Sequence, residues 1–295
     1  MTGKDTTLTV GIIGLGIMGS AYSNNLLKAG VAVAGVDTST EARNRLDQAG
    51  GTSYDAIGPW MSECDLIIIS VASPVVLAAV SASLGAVLST GQVVMETGTF
   101  SMNDKFGAQA EIERNGAILL DTPVSGTGAQ AARADLVIMA SGPKDAIKHA
   151  KKYMQHLSHT VIEAGDFGAG SKLKYVANHI VALHNCAAAE TLHYADSLGL
   201  DRKVVYNLLS KGAGQSRMLD LRMPLMVSGE YTPATAHMAM FEKDLSIIGS
   251  DIKAQGITTP MFDAVTALYD KAWSLVPQDY DTAAIFEVYR NIDNS

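Results

Sequence analysis

The run Leu8-Thr9-Val10-Gly11-Ile12-Ile13-Gly14-Leu15-Gly16-Ile17-Met18-Gly19 passes from an unbroken apolar segment into a glycine turn. Leu8 to Ile13 has the character of a strand buried on both faces. Gly14 to Gly19 follows as GxGxxG, and an apolar-periodic helix then runs to about Gly30. A second strand, Val31 to Val36, stops at Asp37, about 20 residues beyond the turn. Alone, a GxGxxG is weak, because glycine turns are common. Between a strand and a helix, with an acid closing the next strand, it is the fingerprint of a dinucleotide site. Gly14 permits the tight turn, Gly16 lets a pyrophosphate approach the backbone, and Gly19 lets helix pack on strand. Leu15, Ile17 and Met18 complete the cofactor-binding turn, and the phosphates meet the helix N-terminus. Asp37 accepts hydrogen bonds from the adenosine ribose and repels a 2′-phosphate. No arginine stands in Asp37-Thr38-Ser39-Thr40, and Arg43 falls a turn into the next helix, so NAD is favoured over NADP. The competing reading of Asp37 is a plain cap on that helix.

Outward from this unit the alternation continues. Strands are expected at Leu66–Ser70, Val93–Glu96, Ala117–Asp121, Leu136–Ser141 and near Thr160–Ile162. Helices are expected from Pro74, over Ser101–Asn115 and from Pro143 to about His156. Strand-helix alternation predicts a parallel, doubly wound Rossmann sheet over residues 1–168. Ligands of such sheets bind beyond the strand C-termini. Val71, Ala72 and Ser73 follow one strand and Thr99 follows another, so all four are cofactor-lining candidates by position. At the next such end, Asp121-Thr122-Pro123-Val124-Ser125-Gly126-Thr127-Gly128, small residues leave backbone N–H groups able to converge on an anion.

From Ser171 there is no proline, and the next glycine is Gly199, which predicts one uninterrupted helix of about 40 Å. Leu173, Val176, Ala177, Ile180, Leu183 and Ala187 recur at helical spacing, and neighbouring apolar residues widen the stripe most of the way round. Such a helix is buried on more than one side. Lys174 does not fit that role. It lies in the first turn, where the macrodipole disfavours a cation by about 0.3–1 kcal/mol and eases its deprotonation. Asn178, four residues on, shares its face. After Gly199 the strand signals vanish. Helices over Val204–Leu209, Met218–Val227, Phe241–Gln255, Pro260–Trp273 and Thr282–Asn291 predict an all-helical second domain, residues 169–295, built around the long helix.

Composition narrows the function classes. The 295 residues suffice for about two domains, and 30 acids against 22 bases give a net charge of −8. That disfavours nucleic acid or an anionic membrane as the main partner. Cys64 and Cys186 lack CxxC spacing, and seven histidines form no HxxxH cluster, so no metal site is expected. Met1 to Thr7 is polar and no apolar run approaches membrane-span length, which predicts a cytoplasmic protein.

Four separated motifs, Gly14–Gly19, Asp121–Gly126, Gly168–Asn178 and Lys243-Asp244, together resemble the β-hydroxyacid dehydrogenase family. That family includes 3-hydroxyisobutyrate and threonate dehydrogenases, tartronate semialdehyde reductase and, more distantly, 6-phosphogluconate dehydrogenase. The resemblance implies a catalytic lysine at Lys174 with Asn178 beside it, and a substrate-carboxylate clamp at Ser125, Gly126 and Thr127. It also implies a cofactor-side lysine at Lys243. Gln215, Ser216 and Arg217 follow a glycine turn where the family reaches its substrate. Two departures stand out. Thr127 replaces the clamp's second glycine, and the usual Asp-x-Ser-Thr reads Glu96-Thr97-Gly98-Thr99.

The implied activity is NAD-dependent oxidation of a short 3-hydroxy acid, with Lys174 as general acid/base and Ser125 helping to hold the substrate. The alternatives are a semialdehyde or imine reductase and a non-catalytic dinucleotide-binding regulator. An intact Lys174/Asn178 pair disfavours the regulator, and Lys174 disfavours the imine reductases. The broad apolar face of the helical half implies a homodimer or homotetramer.

Overall fold

The computed structural model describes residues 9–292. Met1 to Leu8, including the polar leader and the first residue of the expected strand, lie outside the described residues. The chain divides into two compact units, one ending at Lys174 and the other beginning at Tyr175. The division falls inside a helix, a short way past the expected boundary at 168/169.

The first unit runs β1 (Thr9–Ile13), α1 (Ile17–Lys28), β2 (Ala32–Val36), α2 (Thr40–Gln48), β3 (Thr52–Tyr54), β4 (Leu66–Ile69), α3 (Pro74–Gly85), β5 (Val93–Glu96) and α4 (Met102–Ile112). It continues with β6 (Ile118–Asp121), β7 (Val124–Ser125), α5 (Gly128–Ala131), β8 (Val137–Ser141), α6 (Lys144–Met154) and β9 (Thr160–Gly165). The sheet order is β3-β2-β1-β4-β5-β6-β8-β7, with β9 on β8. Strands β3 to β6 pair in parallel. On β4, Leu66 and Ile68 join one apolar core while Ile67 and Ile69 join another, so helices cover both faces.

The expected all-parallel sheet needs one correction. Strand β8 is antiparallel to both β6 and β7, and parallel order resumes with β9. A parallel return needs a crossover of a dozen or more residues, usually a full helix. Between β6 and β8 the chain spends its residues on β7 and the four-residue α5. The turn therefore reverses direction. α6, eleven residues long, then makes a full crossover, so β9 runs parallel to the reversed β8.

Helix α7 (Ala169–Ser197) is one unbroken element of 29 residues, about 44 Å at 1.5 Å per residue. Helices α8 (Arg202–Leu209), α9 (Arg217–Ser228), α10 (Met238–Gln255), α11 (Pro260–Leu275) and α12 (Phe286–Ile292) follow in the second unit. The expected last helix starts as a 3₁₀ turn, Thr282–Ile285, before α12. One face of α7 buries Ala182, Cys186, Ala189 and Leu192, whereas Leu173, Val176 and Ile180 stay 40–67% exposed. In this chain the expected all-round burial of α7 is incomplete. No described helix is long and apolar enough to cross a membrane.

Candidate active site

The adjacent parallel strands β2, β1, β4, β5 and β6 deliver their C-terminal loops to one edge of the sheet. There the three glycines of the turn differ in what surrounds them. A Cβ on Gly14 would stand 2.2 Å from the Ser70 carbonyl oxygen, and one on Gly19 would stand 1.8 Å from the Gly14 oxygen. Gly14 also has φ +90°, which a side chain rarely adopts. A Cβ on Gly16 would meet nothing within 4 Å. Two glycines are thus required for packing, and the third opens onto free space at the start of α1. No side chain caps that helix. This is the cradle a pyrophosphate needs.

Asp37 is half-buried and fixed at both oxygens. Oδ2 accepts the Leu15 N–H at 2.7 Å and Oδ1 accepts the Ser39 N–H at 2.8 Å. Ser39, not Asp37, caps α2. The carboxylate is therefore a built corner of the nucleotide turn. Arg43 reaches the same corner, donating to the Asp37 and Thr38 carbonyl oxygens at 2.7 and 3.0 Å. Helical spacing had set it a turn away, but a long side chain returns over the first turn of its own helix. Val71 lies against the Gly14 turn, Ser73 caps α3, and Thr99 sits half-buried after β5.

The anion-clamp loop abuts the same turn. A Cβ on Gly128 would come within 2.5 Å of Ile17. Gly126 has φ +139°, and a Cβ there would meet Leu136 at 2.5 Å, so only glycine fits. Thr127 has a different task from the one the resemblance implies. It forms a capping box on α5, its N–H donating to Gln130 Oε1 at 3.0 Å and its hydroxyl accepting from the Gln130 N–H. The second glycine's replacement is thus a helix cap, and the Ser125 N–H faces Val137 in the β7–β8 ladder, which leaves the Ser125 hydroxyl and the Gly126 N–H as candidate donors.

On α7, Lys174 is half-buried and Asn178, one turn on, is 7% exposed. The Asn178 amide donates to Asp244 Oδ2 at 2.7 Å, and Lys243 Nζ stands 2.9 Å from Asp244 Oδ1. Asp244 therefore fixes which end of the Asn178 amide faces outward. Gln215 and Arg217 are exposed around the start of α9, where Ser216 caps the helix and Gln215 bonds Asp220 at 2.5 Å. A cleft of 610 Å³ between α10 and α11 is lined by Glu242, Lys253, Asp263 and Asp270 among others, and contains none of the expected site residues. No group of three or more metal-ligating side chains occurs among the described residues.

Asp244 was visible in the sequence only as the second member of the Lys243-Asp244 motif, with no role of its own. Sequence reading missed Lys105 altogether. It lies 0% exposed between Glu96 and Asp121, which are equally buried. A single lysine on an otherwise mixed helix gives no sequence signal of burial.

Comparison with known proteins agrees with this geometry. Residues 9–165 match a family profile described as the NAD binding domain of 6-phosphogluconate dehydrogenase. Residues 168–289 match one described as NAD-binding of NADP-dependent 3-hydroxyisobutyrate dehydrogenase. The chain is 28% identical to the L-threonate dehydrogenase of Cupriavidus necator, covering 96% of this chain and 97% of that one. It is 26% identical to the chloroplastic glyoxylate/succinic semialdehyde reductase 2 of Arabidopsis thaliana, covering 96% and 80%. Among solved structures, a 3-hydroxyisobutyrate dehydrogenase from Salmonella typhimurium aligns with TM-score 0.86 at 27% identity, over 95% and 99% of the two chains. The Mycobacterium tuberculosis 3-hydroxyisobutyrate dehydrogenase with L-serine aligns with TM-score 0.87 at 25% identity, over 96% and 99%. With a profile spanning more than half of its length and a dinucleotide turn of the required shape, the chain belongs to the β-hydroxyacid dehydrogenase family.

Proposed function

We propose that this chain is an NAD-dependent, cytoplasmic dehydrogenase of a short 3-hydroxy acid. The observation that carries the reading is Lys174 one helical turn before an Asn178 whose amide is fixed by Asp244. The glycine turn would hold the pyrophosphate of NAD, whose nicotinamide would supply the hydride acceptor for the carbinol carbon, or the donor in the reverse direction. Lys174 takes the hydroxyl proton as general base and gives it back as general acid. Asn178 holds Lys174 and the hydroxyl in line. The Ser125 hydroxyl and the Gly126 N–H hold the carboxylate. Lys243, tethered by Asp244, is the cofactor-side cation, and Gln215 and Arg217 select among substrate side chains. The relatives' names fit this chemistry, since L-threonate and L-serine are both short 3-hydroxy acids. The semialdehyde reductase relative is named for the reverse type of reaction, reduction of an aldehyde acid. The exposed Leu173, Val176 and Ile180 support a homo-oligomer, a homodimer or homotetramer, in which a second copy covers them.

The test is a panel of 3-hydroxy acids, L-threonate, 3-hydroxyisobutyrate and L-serine among them, offered with NAD while reduced cofactor is followed by absorbance. Turnover of at least one is expected. Binding of NAD without turnover of any acid or semialdehyde would instead make the chain a dinucleotide-binding regulator.

A further inference from the structure

Beneath the site lies a fully buried charged triad, Glu96–Lys105–Asp121, closed within the first unit. Glu96 ends β5 and Asp121 ends β6, and Lys105 reaches both from α4. Its Nζ bonds Glu96 Oε2, lies 2.9 Å from Asp121 Oδ1, and donates to the Gly98 carbonyl oxygen at 3.0 Å. Glu96 Oε1 accepts the Gly98 N–H at 2.6 Å. Burying two carboxylates and an ammonium is costly, and replacement of such groups by apolar ones is often neutral or stabilising. Stability alone gives little reason for the arrangement.

Its other end supplies a reason. Asp121 Oδ1 accepts the Ser171 hydroxyl at 2.8 Å and Oδ2 accepts the Ser171 N–H at 2.7 Å. Ser141, itself bonded to Asp121 at 3.1 Å, accepts the Gly170 N–H at 3.0 Å. A Cβ on Gly170 would stand 2.4 Å from the Met139 oxygen, so the first turn of α7 is pressed against the strand ends. That turn has no acid of its own; Asp121 supplies one from the sheet, where the macrodipole favours it. Lys174 follows Ser171 by three residues, on the same face of the helix.

We propose that Glu96, Lys105 and Asp121 are positioning residues for Lys174: the triad locks the first turn of α7 to the ends of β5 and β6 and so fixes where the lysine meets the substrate. This rests on Lys174 being the acid/base. A misplacement of about 1 Å can lower a rate about 10²-fold, whereas loss of a purely structural tie lowers stability without acting through one side chain. The experiment is a double-variant cycle on the full chain. It measures kcat and NAD affinity for Asp121→Asn, Lys105→Met, the milder Ser171→Ala, and each combined with Lys174→Ala. The Asp121 and Lys105 variants should lose about 10–10² of kcat, and Ser171→Ala less, with NAD affinity changed under about threefold. In the Lys174→Ala background the same substitutions should change the residual rate by less than about twofold, because no lysine is left to position. Should Asp121→Asn or Lys105→Met fail to fold, Ser171→Ala and its double variant decide. If the losses persist undiminished in the Lys174→Ala background, or if every single variant keeps wild-type kcat, the positioning role is wrong and the lysine mechanism stands. If Lys174→Ala alone keeps wild-type kcat, the mechanism and the positioning role both fall.

Discussion

Asp37 shows how much depends on single atoms in this site. Both of its oxygens are committed to backbone N–H groups, which aims the carboxylate before any ribose arrives. Its replacement should therefore act on cofactor choice more than on the fold. Asp37→Asn is expected to lower kcat/KM for NAD about tenfold, the size of a lost charge-assisted hydrogen bond. It should raise kcat/KM for NADP, since Arg43 is already held at the same corner and would pair with a 2′-phosphate. Steady-state kinetics with both cofactors check this, and a wild-type preference for NADP would contradict it. Asp65, at the opposite end of the strands, carries a different kind of consequence. Its carboxylate receives Tyr153 OH at 2.5 Å, Lys152 Nζ at 2.7 Å and His149 Nε2 at 3.2 Å. Partial burial alone would raise its pKa, but the Lys152 and Tyr153 hydrogen bonds outweigh that and hold it below the ordinary 3.8. The folded state thus prefers the ionised form. Its contribution is complete above the unfolded value and is lost as pH falls through the depressed one. Asp65→Asn should lower Tm at neutral pH and lose less of it than wild type on acidification toward pH ~3. Calorimetry across that range would refute this if the two acid transitions ran parallel.

At the scale of elements, the strands and helices that hug their own sequence signals were legible, and the ones set by packing were not. The β1–turn–α1 unit followed from its glycines because two of them have no room for a Cβ. Strand β4 was legible as four consecutive apolar residues, since both of its faces are covered. The antiparallel β8 was not, because strand direction depends on the length of the connection and not on the strand's own residues. The site was legible where it lies in motifs and hidden where it rests on one buried side chain, as with Lys105. The substitution of Gly98 within its motif becomes intelligible at this scale. A Cβ there would stand 2.8 Å from Glu96 Oε1 and 2.3 Å from Phe100. The longer Glu96 and the missing side chain at 98 are one joint change. Gly98→Ser should destabilise by about 1–3 kcal/mol through overpacking. Shortening the acid with Glu96→Asp should relieve part of that, leaving the double variant more stable than the summed singles predict by at least about 0.5 kcal/mol. Denaturant unfolding of the four proteins gives the coupling, and strict additivity would separate the two positions.

For the whole molecule, the first unit carries the glycine cradle, the Ser125–Gly126 loop and Lys174, and the second carries the Asp244 contact that fixes Asn178. Helix α7 carries both Lys174 and Asn178 through the division without a break. The proposed mechanism has Lys174 move the substrate proton. It is tested most directly by kcat and by NAD affinity, the latter from fluorescence, in Lys174→Ala beside Lys172→Ala. Lys172 is exposed and about 200° round the helix from Lys174. Lys174→Ala should lower kcat about 10²–10⁴-fold with NAD affinity nearly unchanged, while Lys172→Ala stays active. A Lys174→Ala protein that turns over at the wild-type rate would contradict it.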